Sequence, residues 1–170
     1  VDSDAQSITE AYNTALRANP DGVAVVAVSS SVVQSQLDEL ESRGVPVVTS
    51  QDPDKPVGPI VASLYTSPSS FRIGKITADY MVVKGCTEGT SIYVQLGGFM
   101  VLDNMLKAFQ DEWSEVAGGA KVEVVDVPLE EFAGAATRIT GAVRANPDTS
   151  CIFVSSDPMS SGLVTALKGA

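Results

Sequence analysis

Histidine is absent from all 170 residues. That excludes Ser-His-Asp and Cys-His catalysis, and every histidine-containing metal site, unless a partner chain supplies the imidazole. Cysteine is scarce: Cys86 and Cys151 stand alone, too few for a disulfide scaffold or a four-thiolate zinc site, and they leave either one bridge or two buried thiols. Basic residues are in the minority. Eleven lysines and arginines face 21 aspartates and glutamates, a formal charge of −10, so a nucleic-acid backbone is repelled rather than attracted. No apolar run approaches the roughly 18 to 20 residues needed to span a bilayer. Neither GxGxxG nor GxxxxGK[ST] occurs, which leaves Gly97-Gly98 after a strand as a weak anion-cradle signal.

What is present is globular: 44% hydrophobic and 19% charged residues. Apolar residues switch between two periods down the whole chain. Strand-like runs are Gly22 to Val28, Pro46 to Ser50, Pro59 to Thr66, Ser91 to Leu96, Lys121 to Val127 and Cys151 to Ser155. Most are short, β-branched and apolar on both faces, the pattern of parallel strands covered by helices on both sides. Helix-like stretches lie between them, near Ser7 to Ala18, Ser31 to Arg43, Ser69 to Lys84, Leu102 to Val116, Glu130 to Ala145 and Ser160 to Lys168. Alternation of helices and strands with crossovers of this length predicts βαβ units and a doubly wound α/β architecture.

Punctuation fits these boundaries. Gly44 follows one helix as a left-handed cap and Pro46 blocks its continuation; Gly85 and Gly118-Gly119 end two more. The stretch Gln51 to Gly58, with two prolines and a glycine, reads as a loop after a strand. The five residues Arg17 to Asp21 recur as Arg144 to Asp148, each time between a helix and an apolar strand. Either the chain contains two similarly built halves, or Asn-Pro-Asp is simply a good helix stop used twice. The chain opens on a helix with no strand before it and ends just after another, as expected for the middle of a longer protein.

In open parallel sheets, ligands bind outside the carboxyl ends of the strands. That rule nominates Ser29 to Ser31, Ser50 to Asp52, Tyr65 to Phe71, Gln95 to Asp103, Pro128 to Phe132 and Ser155 to Met159. These stretches are rich in hydroxyls, amides and carboxylates with a few aromatics, groups suited to an uncharged polyhydroxylated ligand. Several have structural alternatives. Ser29 to Ser31 and Ser155 to Asp157 precede helices and can cap them. Phe99 and Phe132 are either site aromatics or buried staples, and Trp113 reads as packing against Phe109 and Val116. Carboxylate pairs such as Asp52 with Asp157 are available for general acid–base work, but nothing fixes their separation. Lys84, Lys121 and Lys168 lie away from the nominated edge. No catalytic constellation emerges.

The stretches Pro20 to Ser30 (PDGVAVVAVSS), Ser42 to Asp52 (SRGVPVVTSQD), Gly74 to Met81 (GKITADYM), Asn104 to Phe109 (NMLKAF) and Asn146 to Leu167 (NPDTSCIFVSSDPMSSGLVTAL) fall in an order and spacing that resembles the type I periplasmic binding proteins. Within these it is similar to the ribose- and galactose-binding group of ABC-importer solute receptors, which share their fold with lac-repressor-type regulators. The resemblance implies a two-lobed α/β fold of doubly wound parallel sheets, with ligand in a cleft and hinge closure around it. Both lobes are incomplete on this reading: residues 1–67 belong to lobe one and 68–170 to lobe two.

Carried over by position, Asp157 matches the family's ligand-binding aspartate. Gln51 and Asp52 occupy the place of an Asp-Arg pair, and Asp103 to Met105, including Asn104, stand where an arginine is common. Both departures remove positive charge, so a ligand that is cationic, or bound through aromatic and amide groups, becomes an alternative to a simple pentose or hexose. Phe71, Phe99 and Phe132 fall where stacking aromatics tend to lie, and Ser30 closes the first strand end. In the family's strand order Cys86 and Cys151 sit at the amino ends of neighbouring strands, so a disulfide is expected, as suits an oxidising compartment. The resemblance implies a monomeric receptor without cofactor or catalytic activity, exported by a signal peptide of the full-length protein. It binds a small sugar- or polyol-like solute outside the cytoplasm and delivers it to an ABC permease, with no nucleic-acid partner. The alternative is the effector-sensing domain of a lac-repressor-type regulator.

Overall fold

The computed structural model describes residues 5–26, 28, 30–50 and 55–169. The chain divides into two compact units, Val1–Ser69 and Ser70–Ala170. In the first, α1 (Ala5–Arg17), β1 (Val23–Val26), a 3₁₀ turn (Ser30–Val33), α2 (Gln34–Ser42), β2 (Val47–Ser50) and β3 (Ile60–Leu64) follow in order. The three strands form a parallel sheet in the order β1-β2-β3. One face carries Val47 and Ile60 into a core with Tyr12, Leu16, Val33, Leu37 and Leu40. The other exposes Val26, Val48 and Leu64, with Val26 at 70%. Among the described residues α1 and α2 supply the apolar partners of one face of this sheet.

Helix ends follow the sequence punctuation. Gly44 adopts φ +69° just after α2, and the Val45 amide donates to the Leu40 carbonyl at 2.9 Å, closing the last turn. A side chain there would be held in the left-handed region at a cost of about 1 kcal/mol.

The second unit is wound on both sides. It contains α3 (Ser67–Val83, which starts in the last residues of the first unit), β4 (Thr90–Leu96), α4 (Met100–Val116), β5 (Val122–Val127), α5 (Ala135–Ala145), β6 (Thr149–Val154) and α6 (Leu163–Lys168). Two 3₁₀ stretches, Leu129–Gly134 and Asp157–Ser160, precede α5 and α6. The sheet is parallel, in the order β5-β4-β6. Every residue of the central β4 is buried. Ile92, Val94 and Leu96 pack on one side with Val125, Val127, Ile139, Met159 and Leu163, that is, against α5 and α6. Tyr93 packs on the other with Ala78, Met81, Met105, Phe109 and Trp113 from α3 and α4. This alternation is the physical reason a strand with apolar residues on both faces suits the centre of a doubly wound sheet.

Aromatic contacts bind the second layer: Tyr93 lies 4.7 Å from Phe109 and 4.9 Å from Phe153 between ring centroids, and Phe109 lies 5.4 Å from Trp113. The indole N–H of Trp113 donates to the Ala120 carbonyl at 2.8 Å, so burying it leaves no donor unpaired. Helices α3 and α4 meet at Gly74, where a Cβ would stand 2.2 Å from the Met105 carbonyl oxygen.

Cys86 and Cys151 are joined in a disulfide with a Cα separation of 5.3 Å. It ties the turn after α3 to the first residues of β6, the strand paired with β4. The hydroxyls of Ser91 and Ser150 both donate to the Cys86 carbonyl, at 2.7 and 3.0 Å.

The repeated pentapeptide does not fold alike in its two copies. Asn19 is exposed at φ +47°, whereas Asn146 is buried at φ −124°. Asn146 accepts from Lys121 Nζ at 2.7 Å and donates to Glu123 at 2.6 Å.

Candidate functional site

The strands β4, β5 and β6 run parallel, so their carboxyl ends share one edge of the second sheet. Three segments leave it: residues 97–103 into α4, 128–132 into the 3₁₀ turn before α5, and 155–159 into the 3₁₀ turn before α6. The last two turns pack on each other. Five nominated residues gather on these segments and the first turn of α4: Phe99, Asp103, Asn104, Phe132 and Asp157.

The Gly97-Gly98 turn sets the entry to α4. Gly98 has φ +87°, so the second position needs left-handed backbone, while a Cβ on Gly97 would lie 2.8 Å from Asp126 Oδ1, so a side chain at the first position would have to displace that carboxylate. Phe99 then starts α4; its carbonyl accepts from the amides of Leu102 and Asp103 at 2.9 and 3.0 Å. Both Phe99 and Phe132 are half-buried and pack on the core cluster of Ile92, Val94 and Leu96. Both are thus partly buried neighbours of the core.

Asp103 is exposed on the first turn of α4, and its Oδ1 accepts from Gln95 Nε2 at 3.0 Å. Asn104 beside it is half-buried. Asp157 is exposed at the start of its 3₁₀ turn, where its carbonyl accepts from the Ser160 hydroxyl at 2.6 Å. The expectation that this end of the chain is side-chain capped is corrected: Ser156 occupies the cap and makes no side-chain cap bond. Ser155 is turned to a structural use, because its hydroxyl accepts from the Leu96 amide at 3.0 Å.

The nominated residues do not all meet there. Ser30 opens the 3₁₀ turn after β1 and belongs to the first unit. Phe71 lies within α3, outside the three segments, and is 37% exposed. Gln51 and Asp52 lie outside the described residues. Among the described residues no group of three or more histidine, cysteine, aspartate or glutamate side chains is arranged to hold a metal ion, and no helix is long and apolar enough to cross a membrane.

Electrostatically the edge is an acceptor surface. Residues 95–103, 126–132 and 155–159 contain Asp103, Asp126, Glu130, Glu131 and Asp157 but no lysine or arginine. The nearest guanidinium by sequence, Arg138, is engaged by Glu131 at 2.6 Å. Sequence reasoning nominated Gln95 within the stretch 95–103 without a role and passed over Asp126. The available signal was a lone amide in the apolar strand SIYVQL, directly opposite Asp126 in the β4–β5 register.

Parallel α/β units with polar carboxyl edges of this kind define a class of small-molecule-binding domains rather than a single activity. The chain belongs to the periplasmic binding protein family: the family model described as periplasmic binding protein domain matches residues 1–170. No curated protein matches the chain by sequence. Solved structures do share its fold. The 5-methylthioribose transporter solute-binding protein of Thermotoga lettingae, solved with 5-methylthioribose, has a TM-score of 0.75 at 19% identity, over 99% of this chain and 52% of its own. An ABC transporter periplasmic solute-binding protein of Actinobacillus succinogenes with bound D-allose has a TM-score of 0.72 at 15% identity, over 97% and 60%. A Bacteroides fragilis protein assigned as a LacI transcriptional regulator has a TM-score of 0.74 at 14% identity, over 98% and 58%. The chain thus spans a little over half the length of these proteins, and the fold it shares with them is the type I periplasmic-binding-protein fold.

Proposed function

We propose that the chain is part of a solute receptor of an ABC importer, which binds a small, sugar-like polar solute outside the cytoplasm and hands it to a permease without chemical change. The observation that supports this reading is the carboxyl edge of the second sheet, whose outgoing segments carry Asp103, Asn104 and Asp157 together with the half-buried Phe99 and Phe132. Carboxylates and amides accept hydroxyl protons, and aromatic faces cover the C–H surface of a sugar. Ser30, Phe71, Gln51 and Asp52 are proposed to add contacts. The Cys86–Cys151 bridge supports an oxidising compartment, and sugar-binding transport proteins among the structural neighbours support the ligand class.

A second reading, the effector domain of a lac-repressor-type regulator, is favoured by the regulator among the neighbours. The coding sequence upstream of Val1 separates the two: an export signal supports the receptor, a helix-turn-helix the regulator. The function itself is tested by a thermal-shift screen of the full-length protein with sugars, polyols, amines, nucleosides and sugar phosphates. A solute at about 100 times its Kd stabilises the native state by about 2.7 kcal/mol, so neutral or cationic polyols should raise the melting temperature by several degrees. The acidic edge should reject sugar phosphates. A flat response to every polyol and amine, or selective binding of a phosphorylated sugar, defeats the proposal.

A further inference from the structure

Gln95 is 3% exposed on the central strand of the second sheet, on the face that carries Tyr93 into its aromatic layer. A buried amide is unfavourable unless its groups are paired. Here Nε2 donates to Asp103 Oδ1 at 3.0 Å, while Oε1 has no partner among the described residues. An aliphatic side chain of the same length would leave no orphan atom. The orientation is also forced, because the reversed amide would set oxygen against oxygen. The buried amide is therefore organised around one exposed carboxylate eight residues ahead.

We propose that Gln95 is a positioning residue: it fixes the Asp103 carboxylate so that its remaining lone pairs accept a hydrogen bond from a donor group of the solute, a hydroxyl or an ammonium. This rests on the solute-receptor reading above. An ionised carboxylate offers about four acceptor sites and Gln95 uses one. Asp103 lies in the first turn of α4, where the positive end of the helix favours a carboxylate, and no lysine or arginine in the three segments competes for it. A side chain already held in one rotamer loses less freedom when the ligand arrives, which improves affinity roughly tenfold over a freely rotating one.

The test uses the full-length protein as wild type, Gln95→Met, Asp103→Ala and the double variant, with Gln95→Leu as a second apolar replacement if Gln95→Met does not fold. In the ligand-free protein, three-bond NMR couplings should report one χ1 rotamer for Asp103 in the wild type and averaging in Gln95→Met. Titration calorimetry with D-allose and D-glucosamine distinguishes hydroxyl from ammonium recognition. Gln95→Met should weaken the bound probe about tenfold in the wild-type background and less than about twofold in the Asp103→Ala background, since one residue acts through the other. Equal losses in both backgrounds, or a single Asp103 rotamer retained in Gln95→Met, overturn the proposal. If neither probe binds while the rotamer still depends on Gln95, the receptor reading fails for these solutes and the positioning role is upheld.

Discussion

The Cys86–Cys151 bridge makes the most quantitative prediction. It closes a loop of 65 residues by sequence separation and thereby restricts the unfolded chain. In the chain-entropy account, a loop of this size is worth about 4 kcal/mol at 25 °C. Cys86 is itself buried in the cluster of Tyr93, Phe109 and Trp113, so a double replacement by alanine also removes packing, roughly another 1 kcal/mol. The expected loss is about 4 to 5 kcal/mol, comparable with the whole stability of many domains.

The chain supplies its own probe. Trp113 is the single tryptophan and belongs to that same cluster, so its fluorescence reports the second unit and not the first. With a urea m-value of about 1.5 kcal/mol per molar, the midpoint of the fluorescence transition should fall by about 2.7 to 3.3 M on reduction or in Cys86→Ala/Cys151→Ala. Untreated protein unfolded in denaturant should show no free thiol. Two titratable thiols would remove the bridge. A midpoint shift of less than about 0.5 M with the bridge present would refute the entropic reasoning and point to an unfolded state already constrained by other means.

Other substitutions have opposite expected signs. Gly74→Ala should destabilise by more than about 3 kcal/mol, because its Cβ would enter the Met105 carbonyl at 2.2 Å where α3 crosses α4; chemical denaturation that finds it neutral disproves the close approach. Gly141→Ala, in open space inside α5, should instead stabilise by about 0.5 to 1 kcal/mol. Tyr93→Phe removes a buried hydroxyl that has no partner among the described residues and should be neutral or stabilising by up to about 1 kcal/mol, whereas a loss above about 2 kcal/mol would mean that the hydroxyl is bonded. Burial pushes the Tyr12 phenol up to about 12 and raises that of Tyr93 as well. Both favour the neutral form in the folded state, so their contribution is complete below the unfolded value near 10 and declines as pH rises above it, by about 1.4 kcal/mol per pH unit for each tyrosine. Phenolate absorbance on alkaline titration should therefore appear for these two only as the chain unfolds.

The architecture was legible where one local signal decided it. The six strands and the glycine stops at 44, 85 and 118 to 119 stand where periodicity and turn chemistry place them. The coverage of a sheet is a different matter. VAVV in β1 and SIYVQL in β4 are both apolar, yet one is half-exposed and the other wholly buried; a run without alternation reports tolerance of two apolar faces, not the presence of two helical layers. Helix starts were also blurred. The stretch from Glu130 to Ala145 reads as one helix, but the backbone is 3₁₀ as far as Gly134, and Gly162 at φ +72° separates the Asp157 turn from α6. At the site, Phe99, Asp103, Asn104, Phe132 and Asp157 were reachable because the strand-end rule depends only on strand direction. The Gln95–Asp103 bond was not, since a single amide in an apolar strand has no sequence signature for the partner it will find.

The two ends of the second sheet are built for different purposes. At the amino end the disulfide, the Lys121–Asn146–Glu123 chain and the Thr90 hydroxyl donating to Asp148 at 3.1 Å link residues 23 to 65 positions apart. Side chains there find their partners within the protein. At the carboxyl end the Leu96 amide donating to the Ser155 hydroxyl is a long-range link, the Gln95–Asp103 bond is local, and acceptors on Asp103 and Asp157 stand exposed. Cross-links raise the free energy of local opening only where they close long loops. Amides of residues 90–92 and 149–151 should therefore exchange more slowly than those of residues 97–103 and 155–159, and a solute that binds should slow exchange chiefly in the second set. The fold then holds its edge open from behind: long-range bonds at one end keep three strands in register, so that short turns at the other can leave hydrogen-bonding capacity unspent.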